Sequence, residues 1–479
     1  MAESEVEPGK APREAGFTGT PEAWRITDPR WSRRDFLRTS SLAAAGLAAG
    51  PLLAACGGSG SSTAASPAPA GAIPKPRPGA KIQLLQWNSF VPAADEEIRR
   101  QAKAFSDANN VEVTIQTVTG DQLQPKTAAA VEAGSGPDII QMQYGWPHLY
   151  DTACLDVGDV VAILKDKLGA INQVNDAFCK VNGKYLAVPY AQVPNAWTYR
   201  TDLWQQAGFT SFFKTWDELA ADGKQLKSKN LPPIAVSLGH AYGDAITMWY
   251  PVLWDFGGRE VSSDGKHVTI SSKETESALK WAIDTWKNGY ISQNTLSWLD
   301  PDNNQAYHSG LITATLNGAS IYIKEVYTTA TNHKFAAVSD NADQAKSATS
   351  AATLNLIFNH AVMKWTQEAD TAKAFILYLM DQANYTSWLN ASVGYNGGPF
   401  KALSTADIFQ KDTKLKPFLD VIGQGRWPGW PAQPSKATAQ SQVQFVIVDM
   451  FAKAVTSGDA KGAIADAEQK LKRIYELPS

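Results

Sequence analysis

Between Lys81 and Ile140 the hydrophobic pattern switches repeatedly between two periods, and this restricts the chain to an open sheet with helical crossovers. Ile82 and Leu84 alternate with polar residues, as on a half-buried strand. Asp95 to Ala108 then sets Ile98, Ala102 and Phe105 on one helical face. Val111 to Ile115 alternates again, Gln122 to Ala133 reads as a helix stopped by Gly134, and Pro137-Asp138-Ile139-Ile140 is a short apolar strand. Strand, helix, strand, helix, strand predicts a parallel sheet with right-handed crossovers.

Further along, Gly183 to Leu219 is extended around Pro189 and Pro194 before Trp197-Thr198-Tyr199 and a helix ending at Gly208. Thr215-Trp216-Asp217-Glu218 is a capping box, in which a hydroxyl and a carboxylate satisfy free amides at a helix start. Ser271-x-x-Glu274 is expected to repeat it, with Leu279, Ile283 and Trp286 on the inner face of the next helix. Asp264-Gly265 between Val261 and Val268 predicts a hairpin turn. Ala372 to Leu389 reads as one apolar helix, and Val443 to Val455 and Lys461 to Tyr475 as two more, separated by Ser457-Gly458.

The stretch before this body carries an address. Ser32-Arg33-Arg34-Asp35-Phe36-Leu37 is a paired-arginine segment, Ser40 to Leu53 is an Ala/Gly/Leu-rich run, and Leu53-Ala54-Ala55 places small residues before Cys56. A charged segment, an apolar run and small residues in that order make an export signal, and the arginine pair points to the twin-arginine route. Leu-Ala-Ala-Cys resembles a lipobox, in which Cys56 is acylated and becomes the new N-terminus. The apolar run is shorter than the roughly 20 residues a membrane span needs, and Gly46, Gly50 and Pro51 break it. Residues 57–80 are a Gly/Ser/Ala/Pro linker, suited to a tether.

Removing the signal leaves roughly 420 residues, enough for a two-lobed body. The first 55 residues balance seven basic against seven acidic side chains, so the net charge of −3 belongs to the exported portion. That near-neutrality argues against nucleic acid, which needs a basic face. Cys154 and Cys179 remain beside Cys56, either as a disulfide in an oxidising compartment or as two separate buried thiols. No zinc spacing, phosphate loop, dinucleotide fingerprint or nucleophile elbow occurs, and no two of the six histidines fall within four positions. No catalytic residue, metal or cofactor is therefore expected. A carboxylate pair drawn from Asp255, Asp300 and Asp302 is the enzymatic alternative, but Asp300-Pro301-Asp302 reads more simply as a turn or helix cap. Tryptophans beside turn residues are better pocket candidates: flat rings cover sugar faces while amides and carboxylates meet hydroxyls.

The blocks resemble, in their order, the substrate-binding lipoproteins of ABC sugar importers, the extracellular solute-binding group that includes maltodextrin-type binders. Gly134-Ser135-Gly136-Pro137-Asp138-Ile139-Ile140 is similar to that family's Gly-x-x-Pro-Asp strand, and Gly183 to Tyr190 to its segment entering the hinge. Thr198-Tyr199-Arg200-Thr201-Asp202-Leu203 and Thr215-Trp216-Asp217-Glu218-Leu219 resemble its Tyr-Asn-x-Asp-Leu and Thr-Trp-Asp-Glu-Leu pair, with Arg200 where Asn is usual. In Tyr307 to Ser320, Ser320 replaces the family's tryptophan.

The resemblance implies an α/β, two-lobed, periplasmic-binding-protein-like fold with mostly parallel sheets and several hinge crossings. Lobe one would be residues 81–190 and 351–402, and lobe two 191–350 and 403–479, behind a signal at 1–56 and a linker at 57–80. It implies a monomer that captures a carbohydrate between the lobes and delivers it to an ABC permease. The protein would be moored by lipid on Cys56 to the outer face of the cytoplasmic membrane. By position, lobe one would contribute Trp87, Asn88, Phe90, Tyr144, Trp146, Tyr395 and Asn396. Lobe two would contribute Asn195, Asp244, Asn317 and Ser320, with Trp427 and Trp430 closing over the solute. Trp254 and Phe445 stand as weaker candidates. A polyol or other neutral solute, or a secreted carbohydrate-active enzyme, are the alternatives.

Overall fold

The computed structural model describes residues 73–327, 336–339, 352–403 and 406–476. These belong to one unit, Ala68–Ser479. The export signal, Cys56 and most of the linker lie outside the described residues.

Strands β1 (Lys81–Trp87), β2 (Glu112–Val118) and β3 (Ile139–Gln143) alternate with helices Pro92–Asn109 and Gly120–Ala133, as the hydrophobic periods predict. The first helix buries Ile98, Ala102 and Phe105 and ends where Asn110 turns left-handed. Strand β1 lies between β2 and β3, parallel to both, with Leu84 opposite Ile115 and Ile139. A small hairpin comes next, β4 (Lys180–Val181) against β5 (Lys184–Tyr185).

Strand β6 (Val188–Val193) completes the first sheet at its far edge, and only Pro194 and Asn195 separate it from β7 (Ala196–Arg200) in a second sheet. There β7 lies between β8 (Ala314–Asn317) and β9 (Ala336–Ser339), antiparallel to each. The chain then returns as β10 (Leu356–Val362), antiparallel between β3 and β6. The first sheet thus runs β2-β1-β3-β10-β6, and the second β8-β7-β9. The elements around each sheet are here called lobe one and lobe two. Helices Val446–Ser457 and Ala460–Tyr475 pack on each other and on Lys273–Lys287 of lobe two, while Lys436–Val443 packs on the short lobe-one helix Trp146–Leu149.

Local signals hold with small shifts. Thr215 Oγ1 accepts the Glu218 amide at 3.1 Å, and Val261 bridges Val268 around Gly265 at φ 72°. The second cap is Ser272, one residue later than expected, accepting from Thr275 N at 3.1 Å. Ala372 to Leu389 is two helices, Ala369–Leu379 and Gln382–Ala391: Asp381 caps the second by accepting from Ala383 N at 3.1 Å, which ends the continuous run.

The disulfide alternative is not realised. Cys154 and Cys179 are free and buried, and Cys179 Sγ donates to Asn359 Oδ1 at 2.9 Å. Burial pushes the Cys154 thiol up to about 12, so it is also a poor nucleophile. A reductant should therefore leave the melting temperature unchanged in a thermal denaturation, and a drop of several degrees would contradict two free thiols. Among the described residues no helix is long and apolar enough to cross a membrane, and no group of His, Cys, Asp or Glu is placed to hold a metal ion.

Candidate functional site

In an open α/β sheet, the segments following the carboxyl ends of the strands line the ligand crevice. Trp87 ends β1, and its ring packs edge-on against Phe90 at 5.9 Å and Phe358 of β10 at 5.5 Å. Phe90 in turn lies 6.2 Å from Tyr395. Trp87, Asn88, Tyr395 and Asn396 share the wall of a cavity of about 30 Å³ with Gln86, Asp95, Gln141 and Tyr190. That volume admits one or two waters and no sugar.

After β3, Tyr144 and Trp146 turn toward lobe two. The Tyr144 hydroxyl donates to the Tyr242 carbonyl at 2.7 Å, and Trp146 meets the Tyr242 ring edge-on at 5.7 Å. Trp146 Nε1 is buried with no partner. Tyr144 holds φ 45° and Phe445, which packs on Tyr242 at 4.7 Å, holds φ 54°. Left-handed backbone at bulky residues is costly and gathers at ligand clamps.

Lobe two brings an acid pair. Helix Asp244–Asp255 is buried along its whole length, and the first amides of its entry, Gly243 and Asp244, both donate at 2.9 Å to Asp300 Oδ1. Asp302 caps its own helix, accepting from Leu299 N at 2.7 Å. Asp300-Pro301-Asp302 is thus the cap the sequence suggests, but Asp300 caps a helix far from it in sequence. Asp244 and Asp300 are 6% and 7% exposed, and Asp244 Oδ2 has no partner. A Cβ on Gly120 would stand 3.1 Å from both Asp300 Oδ2 and the Trp87 ring, so a glycine lets these lobes touch there.

Burial, then Asp300 and Asp302, hold the Asp244 carboxyl well above the usual range. Burial pushes Asp300 up to about 6 despite its two amide donors. A raised folded pKa means that the folded state keeps a proton the unfolded carboxyl, near 3.9, has released. The contribution is full below about pH 4 and lost between about 4 and 6. From pH 4 to pH 7 the protein should lose about 2 to 3 kcal/mol relative to Asp300→Asn, read from paired denaturation curves. A pH-independent difference would contradict this environment for Asp300.

The remaining expected site residues divide. Asn317 and Ser320 form a polar corner with Asn304, whose Nδ2 donates to Ser320 Oγ at 3.1 Å. A Cβ on neighbouring Gly318 would come 3.0 Å from the Tyr395 ring, which ties this corner to the lobe-one aromatics. Asn195 sits at the crossing, its amide donating to Asn355 Oδ1 at 3.3 Å. Trp427 and Trp430 are not brought to the cavity of Trp87. Trp427 is core, its indole N–H donating to Ala432 O at 2.6 Å, and it borders a separate open groove of about 840 Å³ with His148 and Lys436. Trp430 stands under the Arg426 guanidinium at 5.8 Å. No polar side chain lining that groove is both buried and unpartnered. Trp254 is also core. Tyr242, and Asp300 as the cap of a distant helix, are what the sequence did not mark: a lone tyrosine and a long-range cap carry no local pattern.

A family model described as bacterial extracellular solute-binding protein matches residues 100–417. A curated probable ABC transporter-binding protein of Deinococcus radiodurans is 26% identical over 153 residues, 30% of this chain and 36% of the relative, so the match spans about a third of that protein. Among solved structures, maltose-bound MalE3 of T. maritima aligns with TM-score 0.68 at 19% identity over 83% of this chain and 100% of its own. The GacH receptor of Streptomyces glaucescens, solved unliganded and with acarbose, aligns with TM-score 0.70 at 15% identity over 84% and 100%. A sugar transporter from Arthrobacter chlorophenolicus with bound laminaribiose aligns with TM-score 0.69 at 16% identity over 83% and 100%. At these identities the likeness establishes the fold: two lobes, mixed α/β.

Proposed function

The chain belongs to the bacterial extracellular solute-binding protein family, and from that premise we propose that it captures a carbohydrate between its lobes for an ABC import permease. The observation that carries the reading is the facing of two chemistries. Lobe one presents the rings of Trp87, Tyr144, Trp146 and Tyr395. Lobe two presents the Asp244–Asp300 carboxylates at a helix start. Rings cover the C–H faces of a sugar, and carboxylates accept from its hydroxyls. The unpartnered Asp244 Oδ2 and Trp146 Nε1 supply one acceptor and one donor. The maltose, acarbose and laminaribiose complexes of the structural neighbours support a carbohydrate.

The approach of Asp300 to Gly120 and the bond of Tyr144 to Tyr242 belong to a closed arrangement with no room for a sugar, so the lobes part to admit one. A solute touching both lobes then favours closure by its differential affinity. The twin-arginine signal, the Leu-Ala-Ala-Cys56 ending and the linker support lipid mooring outside the cytoplasm, which keeps the capture protein near its permease. The buried, capping role of Asp300 and the acceptance by Asp255 of the Trp216 and Ala352 N–H groups at 3.1 and 2.8 Å support binding over hydrolysis.

A melting screen of the purified protein against mono- and oligosaccharides and polyols tests this. A ligand at about 100 times its Kd should add about 2.7 kcal/mol by mass action. No shift across a broad panel would remove the carbohydrate reading.

A further inference from the structure

Two other acids of lobe two, buried Asp255 and half-buried Asp449, are met by cations. Asp255, 1% exposed, lies in the field of Arg426 and Arg259. Asp449 accepts from His240 at 2.8 Å and from Lys470 at 3.4 Å. The acid pair of the cleft is treated differently. Asp244 and Asp300 act on each other, with Asp121 and Asp302 nearby. Among the described residues no lysine, arginine or histidine forms an ion pair with either. The other titratable neighbours are Tyr144, Tyr242 and Tyr395, all of which feel the same acids.

Burial makes these carboxyls hold their protons more tightly, and a cation seated beside them lets them ionise and form an ion pair that no neutral sugar offers. Asp244 Oδ2 is buried and has no donor. The Trp87 ring flanks Asp300 across Gly120, and an aromatic neighbour adds to the attraction for a cation. We infer that the solute carries a protonated amino group, seated against Asp244 and Asp300 beneath the lobe-one rings, so that its class is an amino sugar. The inference rests on the carbohydrate reading above and adds the charge.

Matched pairs decide it. Calorimetric titration of the intact protein at pH 7 and low salt would compare glucose with glucosamine and cellobiose with the glucosamine disaccharide. The N-acetyl forms serve as neutral controls of similar size, and spermidine and choline as amines without a sugar. The amino member should bind about tenfold tighter or more than its neutral partner. The preference should shrink with added salt and vanish in Asp244→Asn. That variant replaces an unpartnered carboxyl by an amide of the same shape, so its melting temperature should stay near that of the wild type. Asp300→Asn, whose side chain can still accept both amides, gives a second test. Equal affinities within each pair would overturn the inference and leave carbohydrate capture standing. Binding of amines with no sugar bound would keep the cation and overturn the carbohydrate. Binding of nothing in the panel would overturn both.

Discussion

Trp427→Ala should destabilise the unliganded protein by about 3–5 kcal/mol, the range for truncating a buried tryptophan. The side chain is 1% exposed and packs edge-on to Trp430 at 5.0 Å. Its N–H satisfies the Ala432 carbonyl, so truncation opens a cavity and orphans a buried acceptor together. Trp427→Phe keeps most of the volume and should cost about 1–3 kcal/mol, the share of the lost hydrogen bond. Chemical denaturation of the three proteins reads both values. An unchanged midpoint with weakened sugar binding would return Trp427 to the pocket, where the sequence places it.

Asp244→Ala should behave in the opposite way. Loss of a buried, charge-bearing acceptor from a site costs about 2–5 kcal/mol of binding, roughly thirtyfold to several thousandfold in Kd. Its unliganded stability should hold, because Oδ2 has no partner to lose and burial already favours the uncharged carboxyl. The backbone amide of residue 244 still donates to Asp300, so the helix start survives. Titration calorimetry beside a melting curve separates the two effects. Wild-type affinity in this variant would place the solute elsewhere.

Much of the fold is legible in the residues themselves. Ile82, Leu84, Ile98 and Phe105 announce β1 and its helix because one buried face imposes a period. Thr215 and Asp264-Gly265 announce a cap and a turn because their chemistry is local. The break at Asp381 is hidden by apolar residues on both sides. The site is less legible. Trp87, Asn88, Tyr395 and Asn396 can be placed because they follow strands or a return crossing. Trp427 misleads because an aromatic beside Pro428 and Gly429 looks the same whether its loop folds over a ligand or inward. The capping of a distant helix by Asp300 is missed because its partners, Gly243 and Asp244, are far away in sequence and no pattern joins them.

A solute held between the lobes should close them. Gln122 and Leu299 are exposed on opposite sides of the Gly120–Asp300 contact. Spin labels at Gln122→Cys and Leu299→Cys, in a Cys56→Ser background where Cys154 and Cys179 are buried, report the gap by pulsed dipolar spectroscopy. With the sugar chosen by the melting screen, the distances should collapse from a broad, longer distribution to one short peak. The same distribution with and without saturating sugar would contradict capture by closure.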